Sequence, residues 1–246
     1  MNLFLHGVAR AVAETFDLPE PILEIGAYQV PGQESLADLR PLFPHKEYLG
    51  VDFRAGPGVD QVANAEDLPF HNGSFGTVIA MSTFEHVPRF WRAFEEARRV
   101  LRPDGALLVA CPFYFYMHAF PDDYWRFTPQ ALELMLEAYP SKLFGWHGAA
   151  KRPANVWALA FREAADSIGG DQFDAYRQRL RRYARQPLSW SRRLRYRLAR
   201  TICGRGPFAP YLDQEKWETL CQTEVGRRTR ISQPNSTKPS IQIAKP

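Results

Sequence analysis

The feature that most restricts this chain is an alternation of short apolar runs with helical stretches between residues 22 and 110. Ile22-Leu23-Glu24-Ile25, Tyr48-Leu49-Gly50-Val51, Thr77-Val78-Ile79-Ala80-Met81 and Ala106-Leu107-Leu108-Val109-Ala110 read as buried strands, with a shorter one at Val59-Asp60-Gln61-Val62. Residues 90–101 carry apolar side chains at helical spacing and are stopped by Pro103-Asp104-Gly105. Strands separated by helices imply right-handed crossovers, and therefore a parallel sheet covered on both faces. The expected architecture is α/β, a Rossmann-like three-layer sandwich around a mostly parallel seven-stranded sheet. A helix over 3–16 precedes it, ended by Pro19 and Pro21, and a helix over 129–139 follows. Residues 144–147 and 156–161 suit a final antiparallel pair.

Length and charge divide the chain. Its 246 residues suffice for one such domain with an appendage. Residues 1–176 carry 14 basic and 23 acidic side chains, whereas 177–205 carry 11 arginines and no acid. The sequence thus reads as a domain over 1–165, a basic helical extension over 166–225 and a disordered tail over 226–246. The Arg-rich helices are expected at 172–185 and 189–203. In the second, Trp190, Leu194, Leu198 and Ile202 recur every fourth residue among arginines 192, 193, 195, 197 and 200. Such a face suits an anionic membrane surface, RNA phosphates, or the acidic body of the same protein. No apolar run approaches the ~20 residues of a membrane span. The N-terminus lacks the basic region and cleavage site of a signal peptide. Cys111, Cys203 and Cys221 lack any C-x-x-C spacing and fit free thiols of a reducing cytoplasm rather than disulfides or zinc ligands, so no metal is expected. A cytoplasmic protein, peripheral at the inner membrane face, is the expectation.

In open parallel sheets ligands bind beyond the carboxyl ends of the strands. That rim here gathers residues 24–32, Asp52, 64–67, 82–86 and 111–113. The first strand runs into Glu24-Ile25-Gly26-Ala27-Tyr28-Gln29-Val30-Pro31-Gly32, a turn whose glycines let backbone approach a ligand. Asp52 ends the second strand, where a carboxylate can accept both hydroxyls of a ribose. Tyr28 stands where a dinucleotide fingerprint has its second glycine, the one that serves a pyrophosphate, which argues against NAD.

Further blocks follow at close spacing: Asn64-Ala65-Glu66-Asp67-Leu68-Pro69-Phe70, Phe84-Glu85-His86-Val87 and Arg99-Val100-Leu101-Arg102-Pro103-Asp104-Gly105. With these, residues 21–112 resemble the class I S-adenosylmethionine-dependent methyltransferases of the type 11-like branch. Arg54-Ala55-Gly56-Pro57-Gly58-Val59-Asp60 and the loop His118-Ala119-Phe120-Pro121-Asp122-Asp123-Tyr124-Trp125-Arg126-Phe127-Thr128 resemble a bacterial subgroup associated with polysaccharide modification. The resemblance implies S-adenosyl-L-methionine as cofactor. It implies that Glu24 and Gly26, with Ala27 and Gly32 in the same turn, line the methionine portion. Asp52 would hold the ribose, Asn64, Ala65 and Glu66 would border the adenine, and Ser82 would lie on the rim. The family's usual aspartate is Asn64 here, whose amide oxygen can still accept from the adenine amino group.

Methyl transfer to a hydroxyl requires alignment of the reactants and removal of a proton. His118 is the expected general base, with Asp123 as an alternative base or its orienting partner; equally, Asp123 and Arg126 could pair to hold the loop while its aromatics form a lid. Glu85-His86 is open between a loop-orienting and a substrate role. The leading function is O-methylation of a small or glycan-type, lipid-linked acceptor. The alternatives are a cofactor-binding scaffold without catalysis and an RNA-modifying enzyme. Only the arginine arm favours nucleic acid, and the Asn/Asp-Pro-Pro-Tyr/Phe tetrapeptide of amino-group methylation is missing. A homo-oligomer is compatible with this pattern.

Overall fold

The structure, a computed structural model, describes residues 1–118, 122–149, 152–163, 168–184, 189–203, 217–222 and 229–232. Helix α1 (Leu3–Ala13) opens the chain, capped by the Asn2 side chain, whose Oδ1 accepts from Leu5 N at 3.0 Å. The parallel strands are β1 (Ile22–Ile25), β2 (Tyr48–Asp52), β3 (Gln61–Val62), β4 (Phe75–Met81) and β5 (Leu101–Pro112). A four-residue helix α2 (Glu34–Ala37) lies between β1 and β2, and α3 (Phe90–Val100) leads into β5. Then come α4 (Pro129–Met135) and the antiparallel pair β6 (Ser141–Ala149) and β7 (Arg152–Phe161). Helices α5 (Gly170–Tyr183) and α6 (Trp190–Cys203) precede the short strands β8 (Trp217–Gln222) and β9 (Thr229–Ser232).

The sheet order is β3-β2-β1-β4-β5-β7-β6-β8-β9. The α/β expectation holds, but the sheet has nine strands rather than seven, because β8 pairs along β6 and β9 along β8. Side chains alternate between two cores, as period two demands. Ile22, Ile79, Met81, Leu108 and Ala110 face the layer of α1 and α5, with Trp157 and Leu159 beside them. Leu23, Ile25, Val78, Ala80, Leu107, Val109 and Cys111 face the layer of α3 and α4. Burial on both sides explains why these strands read as continuous apolar runs.

Three expectations change. Helix α4 ends at Met135, short of residue 139, since Leu136 leaves helical geometry and Tyr139 is drawn into the core. The 166–225 segment is not a uniform helical extension. Phe173, Tyr176 and Leu180 of α5 are buried against α1, Tyr176 Oη accepts from Trp157 Nε1 at 2.9 Å, and β8 places Trp217 and Cys221 in the same core. Arg179 Nε lies 3.7 Å from Glu14, and Arg10 stacks 4.4 Å over the Tyr183 ring, so α5 docks on the body through its polar side as well. The expected disordered tail contains β9, while its residues 226–228 and 233–246 lie outside the described ones. Among the described residues no helix is long and apolar enough to cross a membrane.

Candidate cofactor and acceptor site

The carboxyl ends of β1, β4 and β5 meet where the strand order reverses, and three backbone devices shape the rim there. Gly26 has φ +87°, and a Cβ on it would overlap the Thr83 side chain, whose Oγ1 donates to Ile25 O at 3.0 Å. Ser82 sits at φ 57°, a left-handed conformation costly for a residue with a Cβ, while its N–H donates to Ala110 O at 2.8 Å. Ala27, buried in the turn, donates from its N–H to Val51 O at 3.0 Å, whereas Gly32 (φ +81°) donates to Glu34 Oε1 at 2.8 Å.

Glu24 is buried and accepts from the Tyr48 hydroxyl at 2.7 Å. Burial pushes its carboxyl up to about 8, against the opposing pull of Tyr48 and Arg40. Asp52 Oδ1 accepts from Arg54 N at 3.0 Å and Oδ2 from Tyr28 N at 3.4 Å. A carboxylate has about four acceptor positions, so two hydroxyls can still be received. The Tyr28 ring, which stands in place of a glycine, lies over Gly56 and stacks under the Arg54 guanidinium at 4.5 Å. Phe53, unremarked in the sequence reading, is 68% exposed beside Asp52 and offers an apolar face to a purine. These donors and surfaces fit S-adenosylmethionine. Asp52 would hold its ribose, the β1 turn its amino-acid end, and Phe53 with residues 64–66 its adenine.

The adenine-side segment is itself well tied down. Asn64 Oδ1 accepts from Glu66 N at 3.0 Å. Glu66 accepts from Arg89 N at 2.9 Å and Arg89 Nε at 2.7 Å. Burial raises the Glu66 carboxyl's proton affinity, but these bonds more than reverse that and leave its pKa lowered. Its side chain therefore anchors the segment to α3, and the backbone of Ala65 and Glu66 is what a purine edge would meet. A polar cavity of about 430 Å³ opens on the same segment, lined by Asn64, Glu66 and Asp67 on one side and by Arg89, Arg92, Glu95 and Glu96 on the other.

Across β5 lies the loop after residue 112. Asp123 is clamped by both terminal nitrogens of Arg126 at 2.5 and 2.6 Å and accepts from His118 N at 2.7 Å. The Arg126 guanidinium, then His118, hold its carboxyl well below the usual range. Asp123 is therefore a poor proton acceptor; the role left to it is orientation of the loop and of His118, whose Nδ1 stands 3.1 Å from Asp123 Oδ2. Trp125 donates from Nε1 to Val87 and Pro88 carbonyls and packs its ring on Phe90, while Tyr116, Met117 and Tyr124 are exposed. The rings of His118 and His86 meet edge to face at 4.9 Å. Behind them Glu85 is fully buried, and among the described residues neither carboxyl oxygen has a hydrogen-bond partner. Burial raises this carboxyl too, to about 8. The sequence reading named no metal ligands, yet Glu85, His86 and His118 bring one ligand atom each to within 4.8 Å of one another.

Parts of the chain are similar to known proteins. Residues 33–109 match a family model described as a methyltransferase domain. A malonyl-(acyl-carrier protein) O-methyltransferase of Geobacter sulfurreducens is 49% identical over 49 residues, 20% of this chain and 18% of that one. The 27-O-demethylrifamycin SV methyltransferase of Amycolatopsis mediterranei is 41% identical over 51 residues, 21% and 19% of the two chains. The matches thus span about a fifth of these relatives' length. A Burkholderia thailandensis 1,6-didemethyltoxoflavin-N1-methyltransferase, solved with S-adenosylhomocysteine, aligns over 65% of this chain and 78% of its own at 15% identity and a TM-score of 0.49. Over residues 33–109 the chain thus resembles a methyltransferase domain, and the rim at the strand ends has the donors and surfaces that S-adenosylmethionine needs.

Proposed function

We propose that this protein transfers the methyl group of S-adenosylmethionine to a hydroxyl oxygen of a small or glycan-type acceptor. The observation that carries the reading is His118, set by Asp123 and Arg126 next to a run of exposed aromatic and apolar side chains at Tyr114, Phe115, Tyr116 and Met117. Aromatic faces suit stacking against a sugar or another ring. The bound cofactor supplies an electrophilic methyl on a sulfonium. The protein's part is to align the acceptor for in-line attack, exclude water with the aromatic loop, and take the acceptor proton at His118. Two of the relatives are named for methylation at oxygen, which supports the same choice of atom. The test is formation of S-adenosylhomocysteine by the full chain across a panel of sugar nucleotides, lipid-linked glycans and phenols. Product that appears only with a hydroxylated acceptor is the expected result. Cofactor binding without turnover on any acceptor would point to a binding scaffold instead.

Helix α6 also suits a membrane location. Trp190, Leu194, Leu198 and Ile202 of α6 are 78%, 43%, 54% and 81% exposed, an apolar stripe not covered by the described residues on a helix rich in arginine. Anionic lipid matches both its charge and its apolar face. Because α5 belongs to the core, removing everything after residue 176 would break the fold, so the test keeps the chain whole. Flotation with phosphatidylglycerol vesicles is expected for the wild type and abolished in a Leu194→Glu, Leu198→Glu double variant. Equal flotation of both would end the membrane reading.

A further inference from the structure

We propose that Glu85, His86 and His118 form a site for one divalent transition-metal ion, open on the acceptor side. Glu85 supplies the strongest reason. It is fully buried, and among the described residues neither carboxyl oxygen has a hydrogen-bond partner, the nearest cationic influences being the Met1 ammonium and Arg126. An unpaired buried carboxylate is costly, and buried charges are normally paired or bound to metal. His86 supplies the second. Its Nδ1 lies 2.5 Å from the Asp122 carbonyl, which fixes the ring proton there and leaves the Nε2 lone pair 3.9 Å from Glu85 Oε1. His118 completes the set, its ring meeting that of His86 at 4.9 Å.

Two imidazoles and one carboxylate with an open fourth position are the ligand set of catalytic zinc and of related ions. Bonds of about 2.1 Å place tetrahedral ligand atoms about 3.4 Å apart. The three ligand atoms here lie within 4.8 Å of one another, so ion binding requires them to draw together by roughly 1 Å. Asp123, held by Arg126, brings Oδ2 to 3.1 Å from His118 Nδ1, within reach of the hydrogen bond by which an outer carboxylate orients a ligating histidine.

The catalytic consequence, unlike the binding itself, rests on the methyl-transfer reading. An acceptor hydroxyl at the open position loses its proton to solvent under the ion's charge. Its oxygen then bonds the methyl carbon as the carbon–sulfur bond breaks, the pair remaining on sulfur. With the ion bound His118 is a ligand, and the proton-accepting role given to it above belongs to the metal-free protein.

The test is a Co²⁺ titration of the untagged, chelator-stripped full chain, followed by visible absorption. One equivalent is expected to bind and to develop the bands of histidine-coordinated cobalt. His86→Ala and His118→Ala should each weaken binding by on the order of 100-fold, and Asp123→Asn by about tenfold. Affinity for S-adenosylmethionine, measured by calorimetry, should be unchanged in all three, which shows that they are folded. Glu85→Gln can disturb the core, so the histidine variants decide. No cobalt binding by the wild type, or undiminished binding in both histidine variants, overturns the proposal. Cobalt binding without methyl transfer to any acceptor leaves the ion site standing and removes the methyltransferase reading alone.

Discussion

Replacing His118 by alanine is expected to lower kcat by about 10²- to 10⁴-fold, the range for losing a positioned proton acceptor. Affinity for S-adenosylmethionine and the melting temperature should stay close to wild type. The geometry separates these readouts. The contact that anchors the loop is made by the His118 backbone N–H to Asp123, and it survives loss of the ring. Arg126 continues to clamp Asp123 and to donate to Tyr116 O, so the loop keeps its frame. What disappears is the imidazole between Phe115 and His86. Gly26 and Asp52, the residues expected to hold the cofactor, lie at the ends of β1 and β2 and make no hydrogen bond to it among the described residues. Steady-state kinetics with calorimetry in parallel reads both quantities. Full turnover with unchanged cofactor affinity would remove His118 from the reaction, as base and as ligand alike.

How far the sequence led depended on where the deciding partner lay. The β1, β4 and β5 strands were legible because burial on both faces leaves continuous apolar runs. The place of Asp52 was legible because it closes the apolar run that forms β2. Tyr28 was not. Its ring is drawn aside by Arg54 and Gly56, more than twenty residues away, and no local pattern announces that. Helix α5 looked like part of a basic arm because its arginines dominate its composition. Yet Phe173, Tyr176 and Leu180 lie on one face and pack on α1, a face that a helical-spacing count over 170–183 could have found. Strands β8 and β9 are too short and too isolated to stand out, and they exist because β6 offers an open edge. Glu85 was seen beside His86 as a motif, but its missing partners are a property of the packed core and invisible in one dimension.

Glu24 provides the test with the largest expected thermodynamic effect. Its carboxyl titrates near 8 in the folded protein, because burial disfavours the charge, against 4.5 in an exposed chain. The folded state therefore holds this proton more tightly than the unfolded state. Stability from this group is fully present below about pH 4.5 and declines as pH rises through about 8, where it is lost. A difference of this size corresponds to roughly 5 kcal/mol across the window. Glu24→Gln keeps an acceptor for the Tyr48 hydroxyl and removes the titration. The variant should match wild type near pH 5 and exceed it in stability at about pH 8.5, as followed by urea midpoints. Glu85 is raised as well, so the wild-type slope contains both groups and the difference between the two proteins isolates Glu24. Saturating S-adenosylmethionine, whose amino-acid end would set an ammonium beside Glu24, should favour the ionised carboxylate and flatten that difference. Parallel pH profiles for wild type and Glu24→Gln would mean that Glu24 is already ionised in the free protein, and that the pocket at the end of β1 is better solvated than its packing implies.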